Sequence, residues 1–101
     1  MAGFTRIASV AEISAGTGKV VEVEGRAVAL FNVDGTFHAI DNECLHRGGP
    51  LGDGSLSGTT VMCPWHGWEF DVTTGACHTD DSQRVPCFQV KVDGADVLIA
   101  L

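Results

Sequence analysis

Apolar residues come in short bursts along this chain, and turn-forming pairs separate them. Val20, Val21 and Val23 lead through Glu24-Gly25 into Arg26-Ala27-Val28-Ala29-Leu30-Phe31. Val33-Asp34-Gly35-Thr36 follows, and Phe37 to Ile40 resumes the apolar pattern. Strand-length runs split by such pairs predict hairpins, with Asp-Gly a strong turn signal. The strand ending near Ile40 predicts entry into a loop over about residues 43–52. Thr59-Thr60-Val61-Met62 then enters a second loop, about residues 62–70, and Glu69-Phe70-Asp71-Val72 leaves it, with Thr74-Gly75 closing a turn. At the other end Val85, Cys87, Val90 and Val92, then Asp93-Gly94, then Val97, Ile99 and Leu101 predict a further hairpin. The one helix candidate is a single turn at Ala11-Glu12-Ile13, after Ser9. The expected class is all-β, with two loops projecting from paired strands.

At 101 residues the chain is expected to form one domain, 1–101. A chain of this size buries roughly 65% of its unfolded surface, enough for a modest core. The 45% hydrophobic content argues against disorder, and no repeat or low-complexity tract interrupts the chain. A formal net charge of −7 makes nucleic acid and anionic membranes poor partners, and a basic protein surface a better one. No stretch has the length and apolarity of a membrane span. Met1 to Arg6 lacks the basic-then-apolar pattern of a signal peptide, so the expected compartment is the cytoplasm. In a reducing compartment, the cysteines at 44, 63, 77 and 87 point to metal ligands or free thiols rather than disulfides.

The chemistry is concentrated in the two loops. The first is Cys44-Leu45-His46-Arg47-Gly48-Gly49-Pro50-Leu51 and the second is Cys63-Pro64-Trp65-His66-Gly67-Trp68. Cys44, His46, Cys63 and His66 supply two thiolates and two imidazoles. That set suits one tetrahedral zinc, and equally a two-iron cluster with one iron on sulfur and the other on nitrogen. Gly48, Gly49 and Gly67 let backbone approach a charged centre and aim N–H groups at it. Bridging sulfides need such donors more than a lone zinc does. Pro50 and Pro64 stiffen the loops.

Cys-x-His followed, across sixteen residues, by Cys-x-x-His resembles the signature of the Rieske [2Fe–2S] family, and specifically of its small soluble ferredoxins. The likeness extends through Arg47 to Leu51, Cys63 to Trp68, and Phe70-Asp71 to Thr74-Gly75. It implies an antiparallel β-sandwich base carrying a small cluster-binding subdomain made of the two loops. It implies one [2Fe–2S] cluster per chain, with Cys44 and Cys63 on the inner iron and His46 and His66 on the outer, surface-facing iron. High-potential members carry a disulfide between positions that here are Gly49 and Trp65. They also carry a Ser and a Tyr whose hydroxyls donate to sulfur, where this chain has Trp68 and Phe70. Fewer donors to sulfur disfavour the reduced, more negative cluster, so the expected potential lies low in the Rieske range, at roughly −150 mV.

The resemblance implies a one-electron carrier without turnover of its own and with no catalytic residues. It would pass electrons from a flavin-dependent NAD(P)H reductase to a terminal oxygenase of the ring-hydroxylating type, and act as a monomer. Two other readings share parts of the pattern: the small subunit of an NAD(P)H nitrite reductase, and a structural zinc module. Around the ligands, Arg47 is placed on the docking face, and Trp65 and Trp68 are expected to shield the cluster or to dock a partner. Cys77 and Cys87 read as small buried hydrophobes rather than as a redox pair. The strand position of Cys87 supports burial, and the turn position of Cys77 allows exposure. His38 is expected to face solvent or a hydrogen-bond partner, and His78 is a candidate partner contact. The family's third loop corresponds to residues 78–82, here acidic and without proline.

Overall fold

The computed structural model describes residues 4–43, 49–65, 67–80 and 82–100. The first strand, β1 (Thr5–Ser9), ends where Ser9 caps a single 3₁₀ turn at Val10–Glu12. The Ser9 amide donates to Glu12 Oε2 (2.6 Å) and its hydroxyl accepts from Ala11, a capping box that satisfies the turn's free donors. The helical turn therefore sits one residue earlier than the sequence suggested, and Ile13 is extended and buried.

Strands β2 (Thr17–Val23), β3 (Arg26–Val33) and β4 (Thr36–Asp41) form an antiparallel meander. Both connections are two-residue turns in which both residues have positive φ: Glu24 and Gly25 at 51° and 79°, Asp34 and Gly35 at 51° and 92°. This is the type I′ geometry whose twist matches the strands, and it confirms both predicted turns. Three short strands follow: β5 (Ser55–Ser57), β6 (Thr60–Met62) and β7 (Glu69–Asp71). The last hairpin is β8 (Cys87–Asp93) with β9 (Asp96–Ala100), turning at Gly94-Ala95, one residue later than the Asp93-Gly94 expected.

The strands form a six-stranded sheet in the order β1-β9-β8-β4-β3-β2 and a three-stranded sheet in the order β5-β6-β7. The larger sheet is two meanders joined by a short seam, Ala39 opposite Phe88 and Ile40 opposite Cys87. One core gathers Ala8, Ile13, Val23, Val28, Leu30, Phe37, Ala39, Val97 and Ile99 from both meanders. The second core joins the opposite face of β3 and β4 (Ala29, Phe31, Ile40) to Leu51, Val61, Cys63, Phe70, Val72, Cys77 and Val85. Strand β3 thus has no solvent face along Val28–Phe31, which explains its unbroken apolar run where half-buried strands alternate. The all-β class and the division into a base and a small loop-bearing unit agree with the expectation.

Asn42 joins the two units. It is buried just beyond β4. Its side-chain oxygen accepts from the Gly52 amide (2.7 Å), its carbonyl accepts from Leu51 (2.8 Å), and its amide donates to Ala27 (3.3 Å). We expect Asn42→Ala, which leaves the buried Gly52 amide without its acceptor, to cost about 1–3 kcal/mol. The check is the urea midpoint of the holoprotein at unchanged m-value.

Asp71 closes the turn after β7. Its Oδ1 accepts from the amide (2.8 Å) and hydroxyl (2.6 Å) of Thr73, and its carbonyl accepts from the Gly75 amide (2.7 Å). Partial burial pushes its carboxyl pKa up, but the Thr73 hydrogen bonds and the nearby His78 and His38 outweigh this and hold it below the ordinary carboxylate value. A lowered folded pKa contributes stability that is complete above the unfolded value, about 3.9, and is lost as pH falls through the folded one. Asp71→Asn is therefore expected to lower the denaturation midpoint at pH 7, with the gap to wild type narrowing below about pH 4.

Candidate metal centre

Two loops lie beside the small sheet, one entered from β4 and one from β6, and each is closed at its base by backbone pairing. The first leaves β4 through Asn42 and returns where Glu43 pairs with Pro50, before the buried 3₁₀ turn Leu51–Asp53. The second is the β6–β7 connection. Met62 lies opposite Glu69, and the Cys63 amide donates to the Trp68 carbonyl (2.7 Å). Gly67 has φ +74°, a left-handed turn that brings the chain back to β7 beneath this hydrogen bond. These closures, Glu43 with Pro50 and Met62 with Glu69, fall inside the spans 43–52 and 62–70.

Of the four expected ligands, Cys44, His46 and His66 lie outside the described residues, as do Arg47 and Gly48. Cys63 is described. It is 2% exposed and belongs to the core shared with β3 and β4. The two loops meet at Gly49, which is buried against the second loop. A Cβ built on Gly49 would lie 2.6 Å from Cys63 Sγ and 3.1 Å from the Trp65 ring, so only glycine fits between the thiol and the indole.

The two tryptophans separate into different roles. Trp68 is partly buried and packs on the second core. Trp65 is 50% exposed, next to exposed Pro64, and Met62 at the start of the loop is 43% exposed. Trp68 thus belongs with the core, while Trp65 presents about half its surface to solvent. Phe70 is fully buried, and neither it nor Trp68 carries a hydroxyl to offer sulfur.

A third loop lies against the second. The His78 amide donates to the Glu69 carbonyl (2.7 Å), and the Glu69 amide donates to Thr79 Oγ1 (3.0 Å). Cys77 and Gln83 close its base (3.1 Å). At its tip the Ser82 hydroxyl, then the Ser82 amide, hold the Asp80 carboxyl below its ordinary pKa and keep it ionised. His78 is exposed on this loop and His38 half-buried on β4. Of the two leftover cysteines, Cys77 is buried as expected and Cys87 is not. Cys77 is 2% exposed, pairs with Phe70 across a bridge, and accepts from the Asp80 amide at Sγ (3.4 Å). Cys87 is exposed, and its thiol points to the Thr73 carbonyl (3.5 Å). On β8 it is Phe88 and Val90 that pack inward, so Cys87 falls on the outer face with Gln89 and Lys91. Sequence reasoning missed Asn42. The available signal was a lone amide between the end of a strand and a cysteine loop, a position suited to side-chain-to-backbone hydrogen bonds.

Comparison with known proteins agrees with this geometry. The ferredoxin component of the naphthalene 1,2-dioxygenase system of Pseudomonas aeruginosa is 40% identical over 91 residues, 89% of this chain and 88% of its own length. The solved ferredoxin of carbazole 1,9a-dioxygenase from Nocardioides aromaticivorans IC177 superposes with a TM-score of 0.90 at 29% identity, covering 96% of each chain. A putative NADH-dependent nitrite reductase small subunit from Mycobacterium tuberculosis superposes with a TM-score of 0.91 at 25% identity, covering 100% of this chain and 96% of its own. The family profile for the Rieske [2Fe-2S] domain matches residues 3–89, most of the chain. The chain belongs to the Rieske [2Fe–2S] domain family.

Proposed function

We propose that this protein is the ferredoxin of a multicomponent oxygenase system, receiving one electron from a flavin-dependent NAD(P)H reductase and delivering it to a terminal oxygenase. The observation that carries the reading is its near full-length similarity, at 40% identity, to a dioxygenase ferredoxin component. The cofactor of the family is a Rieske-type [2Fe–2S] cluster, and the chemistry of the described residues suits it. Cys63 offers a buried thiol, and Gly49 leaves the sulfur the room that any side chain would take. Cys44 and Cys63 would hold the inner iron, and His46 and His66 the outer iron. The cluster stores a single electron. The two loops would hold the cluster and would limit the access of water to its sulfurs. The nitrite reductase small subunit shares this fold, so fold alone does not separate the two readings; the sequence identity to dioxygenase ferredoxins favours the carrier. No described helix is long and apolar enough to cross a membrane, and we place the protein in the cytoplasm, as a single domain acting as a monomer.

The test is EPR on anaerobically purified, dithionite-reduced protein. A rhombic half-spin signal with the low average g of mixed sulfur–nitrogen ligation is expected, at a midpoint potential of roughly −150 mV. Cys63→Ser should abolish the signal. A silent spectrum from folded, iron-free wild type overturns the reading and favours the zinc module.

A further inference from the structure

Trp65 is placed unlike Trp68, the other indole of the second loop. Trp68 packs on the core, whereas Trp65 has half its surface in water yet lies against Gly49 on its inner side. Gly49 in turn lies against Cys63 Sγ. The space beside the bare Gly49 backbone is therefore bounded by both the sulfur and the indole ring. A Cβ at position 49 would be 2.6 Å from the sulfur, 3.1 Å from Trp65 Cγ and 3.2 Å from Trp65 Cδ2, far closer than ordinary carbon contacts. Cys63 is fixed by its backbone hydrogen bond to Trp68 and by burial, so the exposed ring is the group free to yield.

We infer that Gly49 and Trp65 form a lid, one loop's bare backbone against the other loop's ring, that excludes water from Cys63 sulfur and so helps set the reduction potential. The inference rests on the electron-carrier reading. Its physical basis is that water at a cluster sulfur donates hydrogen bonds and raises the local dielectric. Both favour the reduced, more negative state. Trp65 acts through Cys63 and is a positioning residue.

The measurement is the spectroelectrochemical midpoint potential of the holoprotein, together with the rate at which its visible absorption bleaches in air. Trp65→Ala uncovers the sulfur, and we expect a higher potential and several-fold faster bleaching. Trp65→Phe keeps an apolar ring over Gly49 and should remain near wild type in both. Gly49→Ala should swing the indole outward, raise the potential and alter the near-ultraviolet circular dichroism of the tryptophans. If Gly49→Ala fails to assemble a cluster, the Trp65 variants decide, because their site is half exposed and outside the core. A normal wild-type signal with an unmoved Trp65→Ala potential overturns the inference alone. Wild type without a Rieske signal overturns the electron-carrier reading, and the inference with it.

Discussion

Strand β3 sends Val28 and Leu30 into one core and Ala29 and Phe31 into the other, all four fully buried. A strand packed on both faces cannot slip by one residue without exchanging the contents of two interiors, so its register is strongly fixed. That rigidity passes to β4, which pairs with it along its whole length, and from β4 through Asn42 to the first ligand loop. The second loop is anchored to the same face through Val61, Cys63 and Phe70. Both halves of the clasp are thus referenced to one piece of backbone. A redox centre gains from this, because a site that barely moves between oxidation states needs little reorganisation to pass an electron.

Much of this organisation was legible in the sequence. The hairpins at Glu24-Gly25 and Asp34-Gly35 follow from residues that tolerate positive φ, and the loops were marked by their cysteines and histidines. The errors have physical causes. Cys87 was assigned to the buried face because Val85 precedes it by two. The apolar parity changes at Phe88, however, and the polar residues Gln89 and Lys91 share the face of Cys87. Cys77 is buried as expected, but its means of burial was not legible: the third loop folds back along β7 and pairs it with Phe70. This contact spans a chain reversal that no local pattern records. Asn42 was passed over for a similar reason: its partner, Gly52, lies ten residues away across the loop it closes.

Accessibility changes steeply over the second loop. Cys63 is almost wholly buried, and two residues later Trp65 is half exposed. A carrier needs both conditions within a few ångströms: a dry sulfur to hold a low potential, and a surface edge close enough to a partner for transfer. The chain's net charge of −7 bears on the encounter, since it favours partners with basic surfaces and makes their association sensitive to salt.

The division of the interior into two cores has a consequence for how the protein matures. The core built from Ala8, Val28, Leu30, Phe37 and Ile99 includes no cysteine among the described residues. The other includes Cys63 and is the one that ligation would tighten. Taking up the cluster would therefore bear on the core around Cys63 more directly than on the base.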